Sequence, residues 1–312
     1  MSTRALDFYK VNYDLIRNFT LADSRKIFLY EGQTTCRFCG KMEPEVSFRN
    51  KAHAIPESFG NKTLFTKYEC DGCGNFFSET IENDFGNYYK PYRTLARIRG
   101  KQNHVPSIKN EAKGWRIELD ASGLNIQHRA DETLVERDIQ NKTLRFKIPR
   151  DSYTPVGVFK CFVKMALSIM PEVEMSGFSE AIEWIMNSHH SYMPLSEAIL
   201  YETVVDGVFP FRVMSIWLFK RKRQTAEVPY MIFVVAHANS SFQISAPCPQ
   251  MDANIYGKEI EIMLFTTPFH LQANSDRMAR KVDLSGTDPE RDVAQFKMHF
   301  DSYSVRKHSV DA

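Results

Sequence analysis

Four of the six cysteines stand in two Cys-x-x-Cys pairs, Cys36-Arg-Phe-Cys39 and Cys70-Asp-Gly-Cys73, with thirty residues between them. A pair at this spacing presents two thiolates from one tight turn, and two such turns close a tetrahedral four-sulfur shell suited to zinc. Gly40 follows the first pair and Asp71-Gly72 lies inside the second, so the backbone can fold back until its amides face sulfur. Two disulfides or four unrelated buried thiols are the competing readings. A Cys-x-x-Cys disulfide closes a strained small ring, and nothing in the sequence indicates an oxidising compartment. A structural zinc, stapling a fold too small to bury much apolar surface, is the expectation.

Between the pairs runs Ala52-His53-Ala54-Ile55-Pro56, and just past the second comes Asn75-Phe-Phe-Ser-Glu79-Thr-Ile-Glu82. A neutral imidazole, with a pKa of about 6.5, can accept a proton at cellular pH, which makes His53 a candidate general base. A histidine hydrogen-bonded within a β-hairpin is the plainer role for the same residue. Pro56 cannot donate to a ladder and should end the strand that carries His53. A helix begun near Gly74 would set Asn75, Glu79 and Glu82 at i, i+4 and i+7, on one face. Oxygen ligands gathered on one face suit Mg²⁺ or Mn²⁺; the same residues also make an ordinary solvated acidic face opposite Phe76, Phe77, Ile81 and Phe85.

This combination resembles the HNH endonucleases, the treble-clef form of the ββα-metal nucleases, in which a first zinc knuckle leads into a β-hairpin and a second opens a helix. The resemblance implies a structural zinc on Cys36, Cys39, Cys70 and Cys73. It further implies that His53 activates a water for attack on a DNA phosphodiester, and that a Mg²⁺ or Mn²⁺ ion near Asn75 and Glu82 stabilises the phosphate and the departing 3′ oxygen. Two positions depart from the family pattern: Ala52 stands where many members carry Asp, Glu or His, and Gly74 where others carry Asn or His. For the middle asparagine that braces the hairpin, Asn61 is the nearest candidate. The alternative function is a non-catalytic zinc-stapled DNA-binding or interaction module.

The elements that must position these residues are set by a chain of 312 residues, 43% hydrophobic, long enough for sizeable cores and for two domains. The expected division is 1–110, a zinc-stapled HNH module with leader and basic extension, and 111–312, a separate α+β domain for sensing, targeting or oligomerisation; the fold class is α+β throughout. Ile27–Tyr30 reads as a strand entering the first knuckle, behind a helix over Leu6–Phe19 in a leader that packs on the module. The net charge of +2 does not announce a nucleic-acid binder. Its distribution does more: Phe85 to Asn110 holds no acidic residue, while Lys90, Arg93, Arg97, Arg99, Lys101 and Lys109 alternate with Tyr88, Tyr89 and Tyr92. That pattern fits a surface tracking phosphates and stacking on bases, or an ordinary basic helix.

Further on, Trp115–Leu119 and Leu144–Ile148 alternate as half-buried strands. Pro155 opens an apolar helix to about Met170 that must be largely buried. A second helix is expected over Phe178–Met186, then strands at Phe211–Phe219, Val228–Val235 and Ile260–Phe265, with Lys220-Arg-Lys-Arg223 as an exposed basic turn. Cys161 and Cys248 have no partner pattern, and there is no Walker-type or dinucleotide-type glycine loop. No apolar run reaches the length of a membrane span and the start lacks a secretory pattern, so a cytoplasmic protein is expected, with DNA as partner and a restriction or anti-phage setting by analogy with bacterial HNH proteins.

Overall fold

The computed structural model describes residues 2–22, 25–30, 32, 34–100, 104–111, 113–120, 123–128, 134–190, 194, 197–205, 211–258, 260–267 and 277–304. The chain opens with α1 (Ser2–Asn12), β1 (Tyr13–Leu21) and β2 (Ile27–Leu29), then β3 (Ala52–His53), β4 (Leu64–Thr66), α2 (Asp71–Glu79) and α3 (Ile81–Leu95). Five strands follow: β5 (Ile108–Asn110), β6 (Trp115–Asp120), β7 (Gly123–Gln127), β8 (Val135–Asp138) and β9 (Thr143–Pro149). Next come α4 (Pro155–Ile169), α5 (Ser179–Ile185), β10 (Ile199–Val205), β11 (Phe211–Arg221), β12 (Met231–Ala238) and β13 (Ser240–Ala246), then α6 (Pro249–Asp252), β14 (Arg277–Asp283) and β15 (Val293–His299). This is an α+β chain.

The largest sheet has the order β1-β11-β12-β13-β10-β14, antiparallel at each pairing. Its central strands are apolar almost without interruption because both faces are covered, and successive side chains go to opposite faces. Ile216, Leu218, Phe233 and Val235 join one core with α4, while Trp217, Phe219, Ile232 and Val234 join another with Tyr9 and Tyr13. Every residue of α4 is buried. The core on its side of the sheet runs without a break from Phe38, Phe77 and Phe85 through Phe162 to Phe242. Two three-stranded sheets, β5-β6-β7 and β15-β9-β8, close over a third core around Trp115, Ile117 and Phe146.

Several local expectations are corrected. The helix expected over Leu6–Phe19 ends at Asn12, because the following residues pair with β11 from Tyr13↔Arg221 to Leu21↔Met214. This part of the leader therefore docks on the large sheet, while Ile27–Leu29 joins the cysteine module through β4 and Tyr30 packs on Tyr68. Ile260–Phe265 forms no strand: Tyr9 Oη and Gln243 Nε2 donate to Met263 O at 3.0 and 3.1 Å, and Phe265 N donates to Gln243 Oε1 at 2.7 Å. Side chains satisfy its backbone in place of a ladder. The basic turn begins later than expected, since Lys220 pairs with Glu174 at 2.7 Å and buried Arg221 donates to Val228 O at 2.7 Å, leaving only Lys222 and Arg223 of the four exposed.

Candidate active site

The four thiols converge. Cys36 and Cys73 sulfurs are 3.7 Å apart, Cys39 and Cys70 sulfurs 3.8 Å, and all four lie within 4.8 Å of one another. A zinc–sulfur distance of about 2.3 Å would set tetrahedral sulfurs about 3.8 Å apart, so the cage has the size a zinc ion requires. Gly40, at φ +70°, closes the first knuckle by donating from its N–H to Cys36 O at 2.9 Å, a left-handed turn that glycine takes without strain. Backbone amides face sulfur: Cys70 N lies 3.5 Å from Cys36 Sγ and Cys73 N 3.4 Å from Cys70 Sγ. Contact with Cys73, helped by the amides of Cys70, Cys39 and Phe38, lowers the pKa of the Cys36 thiol while the same contact raises that of Cys73, so the pair shares a proton in the absence of metal. Asp71 anchors the intervening loop, accepting from Ser47 Oγ at 2.5 Å and from the amides of Arg49 and Asn50; these bonds hold its carboxyl below the usual range.

Between the knuckles, β3 and β4 pair antiparallel with His53 opposite Phe65, while β2 pairs parallel on the other side of β4. The strand ends at His53, earlier than the proline alone predicts; Ala54 N still donates to Leu64 O at 3.1 Å, and Pro56 then caps a 3-10 turn over Glu57–Phe59. Asn61 braces the hairpin. Its side chain is buried, Nδ2 donates to Ile55 O and Leu64 O at 2.8 Å each, and Oδ1 accepts from Thr63 N at 3.1 Å and Leu64 N at 2.9 Å. The same Nδ2 stands 3.5 Å from His53 Nδ1, and the His53 ring packs 4.6 Å from that of Phe65. Gly60, at φ +109°, completes the turn where a Cβ would meet His237 Cε1 at 2.4 Å. His237, on β12, donates from Nδ1 to Phe59 O at 2.9 Å, and burial lowers its pKa.

The expected single helical face is divided. α2 starts at Asp71, with Cys70 as its N-cap, and ends at Glu79; Thr80, at φ −114° and ψ −101°, breaks it before α3. Thr80 Oγ1 donates to Phe76 O at 2.6 Å, closing α2, and Thr80 O receives Asn83 N and Asp84 N, opening α3. Asn75 and Glu79 are therefore exposed on α2, while Glu82 lies in the first turn of a different helix. Glu82 Oε1 meets Lys164 Nζ at 3.1 Å, and the same ammonium is 3.0 Å from Glu69 Oε2 and 3.3 Å from His53 O. Burial raises the Glu69 pKa. Burial alone would lower that of Lys164, but Glu69 and Glu82 lift it above the usual lysine range, so the cluster holds an ammonium. Neither Lys164 nor Glu69 stands out in the sequence. Two lysines, Lys160 and Lys164, inside a largely apolar helix are the signal that could have drawn attention to it.

The basic extension divides by burial. Tyr88, Tyr89 and Tyr92 are buried, with Tyr89 and Tyr92 rings stacked at 5.5 Å, so they build core and are not a platform for bases. Lys90 pairs with Asp151 at 2.6 Å, Arg93 is half-buried, and Arg97 and Arg99 are exposed; Lys101 lies outside the described residues. Lys109 pairs with Glu111 at 2.7 Å. Cys161 and Cys248 are buried away from the cage, and Cys248 Sγ donates to Gly177 O at 3.1 Å.

Residues 36–90 match a family model described as HNH endonuclease, the stretch that contains both knuckles, the His53 hairpin and the start of α3. These residues are an HNH module, a nuclease type whose substrate is nucleic acid. No curated protein and no solved structure matches the chain. Among the described residues no helix is long and apolar enough to cross a membrane.

Proposed function

We propose that the chain is a divalent-metal-dependent endonuclease that hydrolyses DNA phosphodiester bonds, working in the cytoplasm in a restriction or anti-phage setting. The observation that carries the reading is His53 held on a two-residue strand, braced by Asn61, between the two halves of a zinc-sized thiol cage, within the segment that matches HNH endonucleases. In this reading His53 accepts the proton of the attacking water, and zinc on Cys36, Cys39, Cys70 and Cys73 fixes the hairpin against α2. A Mg²⁺ or Mn²⁺ ion, when bound, would supply charge stabilisation for the phosphate and the departing 3′ oxygen. Asn75 and Glu82 would hold it. Asn75 is exposed on α2, and Glu82, on α3 with a side chain 24% exposed, has Oε1 engaged by Lys164 and would offer its other oxygen. Arg97 and Arg99 offer exposed charge to the DNA backbone, joined by Lys90, Arg93 and Lys101. Residues 111–312 would serve targeting, sensing or oligomerisation.

The test is nicking of supercoiled plasmid by the wild type and by His53→Ala, each with Mg²⁺, Mn²⁺ or EDTA, at matched zinc content. Metal-dependent nicking that the variant loses supports the reading. A non-catalytic DNA-binding module is the second reading, favoured by the occupation of Glu82 by Lys164. Absence of nicking by the wild type, together with salt-dependent DNA binding, would select it.

A further inference from the structure

Lys164 lies outside the matched segment, on α4, yet its ammonium enters the His53 site. Its side chain is 1% exposed; Nζ donates to Glu82 Oε1 and His53 O and stands 3.0 Å from Glu69 Oε2 as an ion pair. These oxygens come from the residue before the second knuckle, from the first turn of α3 and from the strand that carries the candidate base. The strand is two residues long and lies at the edge of its sheet, so β4 holds it from one side only. Glu69 is fixed in turn: it is buried, and a Cβ at position 74 would lie 3.3 Å from its Oε1, so Gly74 leaves it room.

An apolar residue of similar volume would fill this space without the desolvation cost of an ion, and a buried ion pair is weak evidence of stability. What the ammonium adds is geometry, because one rigidly held cation sets three acceptors at fixed separations. We infer that Lys164 is a positioning residue of the nuclease site: it fixes the His53 carbonyl and turns Glu82 Oε1 inward, so that the second half of the chain completes the catalytic geometry. Outer partners of this kind matter through orientation and commonly change activity by about 10–100-fold. The inference rests on the nuclease reading for its catalytic consequence, but the positioning itself is independent of it.

The full-length protein tests both. Lys164→Met, Lys164→Arg and the double variant Lys164→Met with Glu69→Gln, which removes both fully buried charges, would be compared with wild type after zinc content is matched. Amide hydrogen exchange over residues 52–55 reads the strand, with 36–41 and 71–77 as internal references for the knuckles. Protection at 52–55 should be lost in the double variant while the knuckles stay protected, and kcat should fall about 10–100-fold with KM and DNA binding in EDTA unchanged. The arginine variant should recover part of both. Unchanged protection at 52–55 in a folded, zinc-loaded double variant would overturn the inference. So would a loss of activity that follows global unfolding alone. Were the wild type to cleave no nucleic acid, the nuclease reading would fail, and the exchange result would still decide whether Lys164 holds the strand.

Discussion

Replacing Asn61 by alanine tests the brace. The side chain makes four hydrogen bonds of 2.8–3.1 Å inside a buried turn, two donated by Nδ2 and two accepted by Oδ1. Leu64 O retains the amide of Ala54 at 3.1 Å, and half-exposed Thr63 can turn to water, so Ile55 O and Leu64 N are the groups left without a partner. At about 1–3 kcal/mol for each buried unsatisfied group, partly relieved by relaxation, Asn61→Ala should cost about 2–4 kcal/mol of local stability. The chain is long and its cores are several, so a single melting temperature is a poor measure; exchange of the Thr63 and Leu64 amides reads the local opening free energy directly. Those amides should exchange about 30–1,000-fold faster, and nicking should fall with them because the neighbour of His53 is gone. Asn61→Asp keeps the two accepted bonds and sets an acceptor against Ile55 O and Leu64 O. Its introduced carboxyl would have its folded pKa raised by burial, so its cost relative to wild type would be smallest below about pH 4 and would grow as pH rises through the folded value. A change below about 0.5 kcal/mol in Asn61→Ala would refute the brace, since that is the range of neutral surface substitutions.

His53→Ala should leave zinc content and circular dichroism unchanged while abolishing metal-dependent nicking; retained nicking would remove His53 from the chemistry. Cys70→Ser should release zinc and unfold residues 36–90, because metal binding at such a site is folding free energy, and zinc analysis with thermal denaturation checks it. Lys160 is fully buried on α4, and burial lowers its pKa to about 8. An unfolded lysine titrates near 10.4, so between about pH 8 and 10 the unfolded chain binds more protons and stability should rise with pH. Lys160→Met should flatten that rise, read from urea midpoints at pH 7.5 and 9.5. A fragment spanning residues 36–100 should bind zinc but nick DNA poorly, because Lys164 and His237 are absent from it; full activity in the fragment would show that they contribute nothing.

What could be read from the sequence is what depends on short spacing. The cage follows from two Cys-x-x-Cys pairs, and the buried helix from the largely apolar run after Pro155. What could not be read depends on partners distant in the chain. Tyr13–Leu21 is a strand because β11 offers it an edge more than 190 positions away, and its own residues carry only a weak alternation. The tyrosines of α3 look like a stacking surface until Phe59 and Phe242 are found against their rings. The helix break at Thr80 escaped because threonine is tolerated in helices; the backbone angles, not the residue type, divide the face that Asn75 and Glu82 were expected to share.

The zinc knuckle and the buried helix are also joined at the helix's far end. The last carbonyls of α4 run out of i+4 amides, Leu167 O keeping the C-cap amide of Met170 at 3.3 Å, and this end carries partial negative charge. Arg37, between the cysteines of the first knuckle, donates from Nη1 to Leu167 O at 2.7 Å and Met170 O at 2.9 Å, with its guanidinium 3.9 Å over the Tyr68 ring. Tyr68 Oη donates to Ser168 O, and Arg17, from β1, donates to Ile169 O at 3.2 Å. The first cysteine knuckle thus also fixes the axial position of the helix that carries Lys164. One turn back from these carbonyls, Lys164 returns the constraint to His53 and Glu82. A zinc ion would then act on the candidate base along two routes: through the hairpin between the knuckles, and through Arg37, α4 and Lys164.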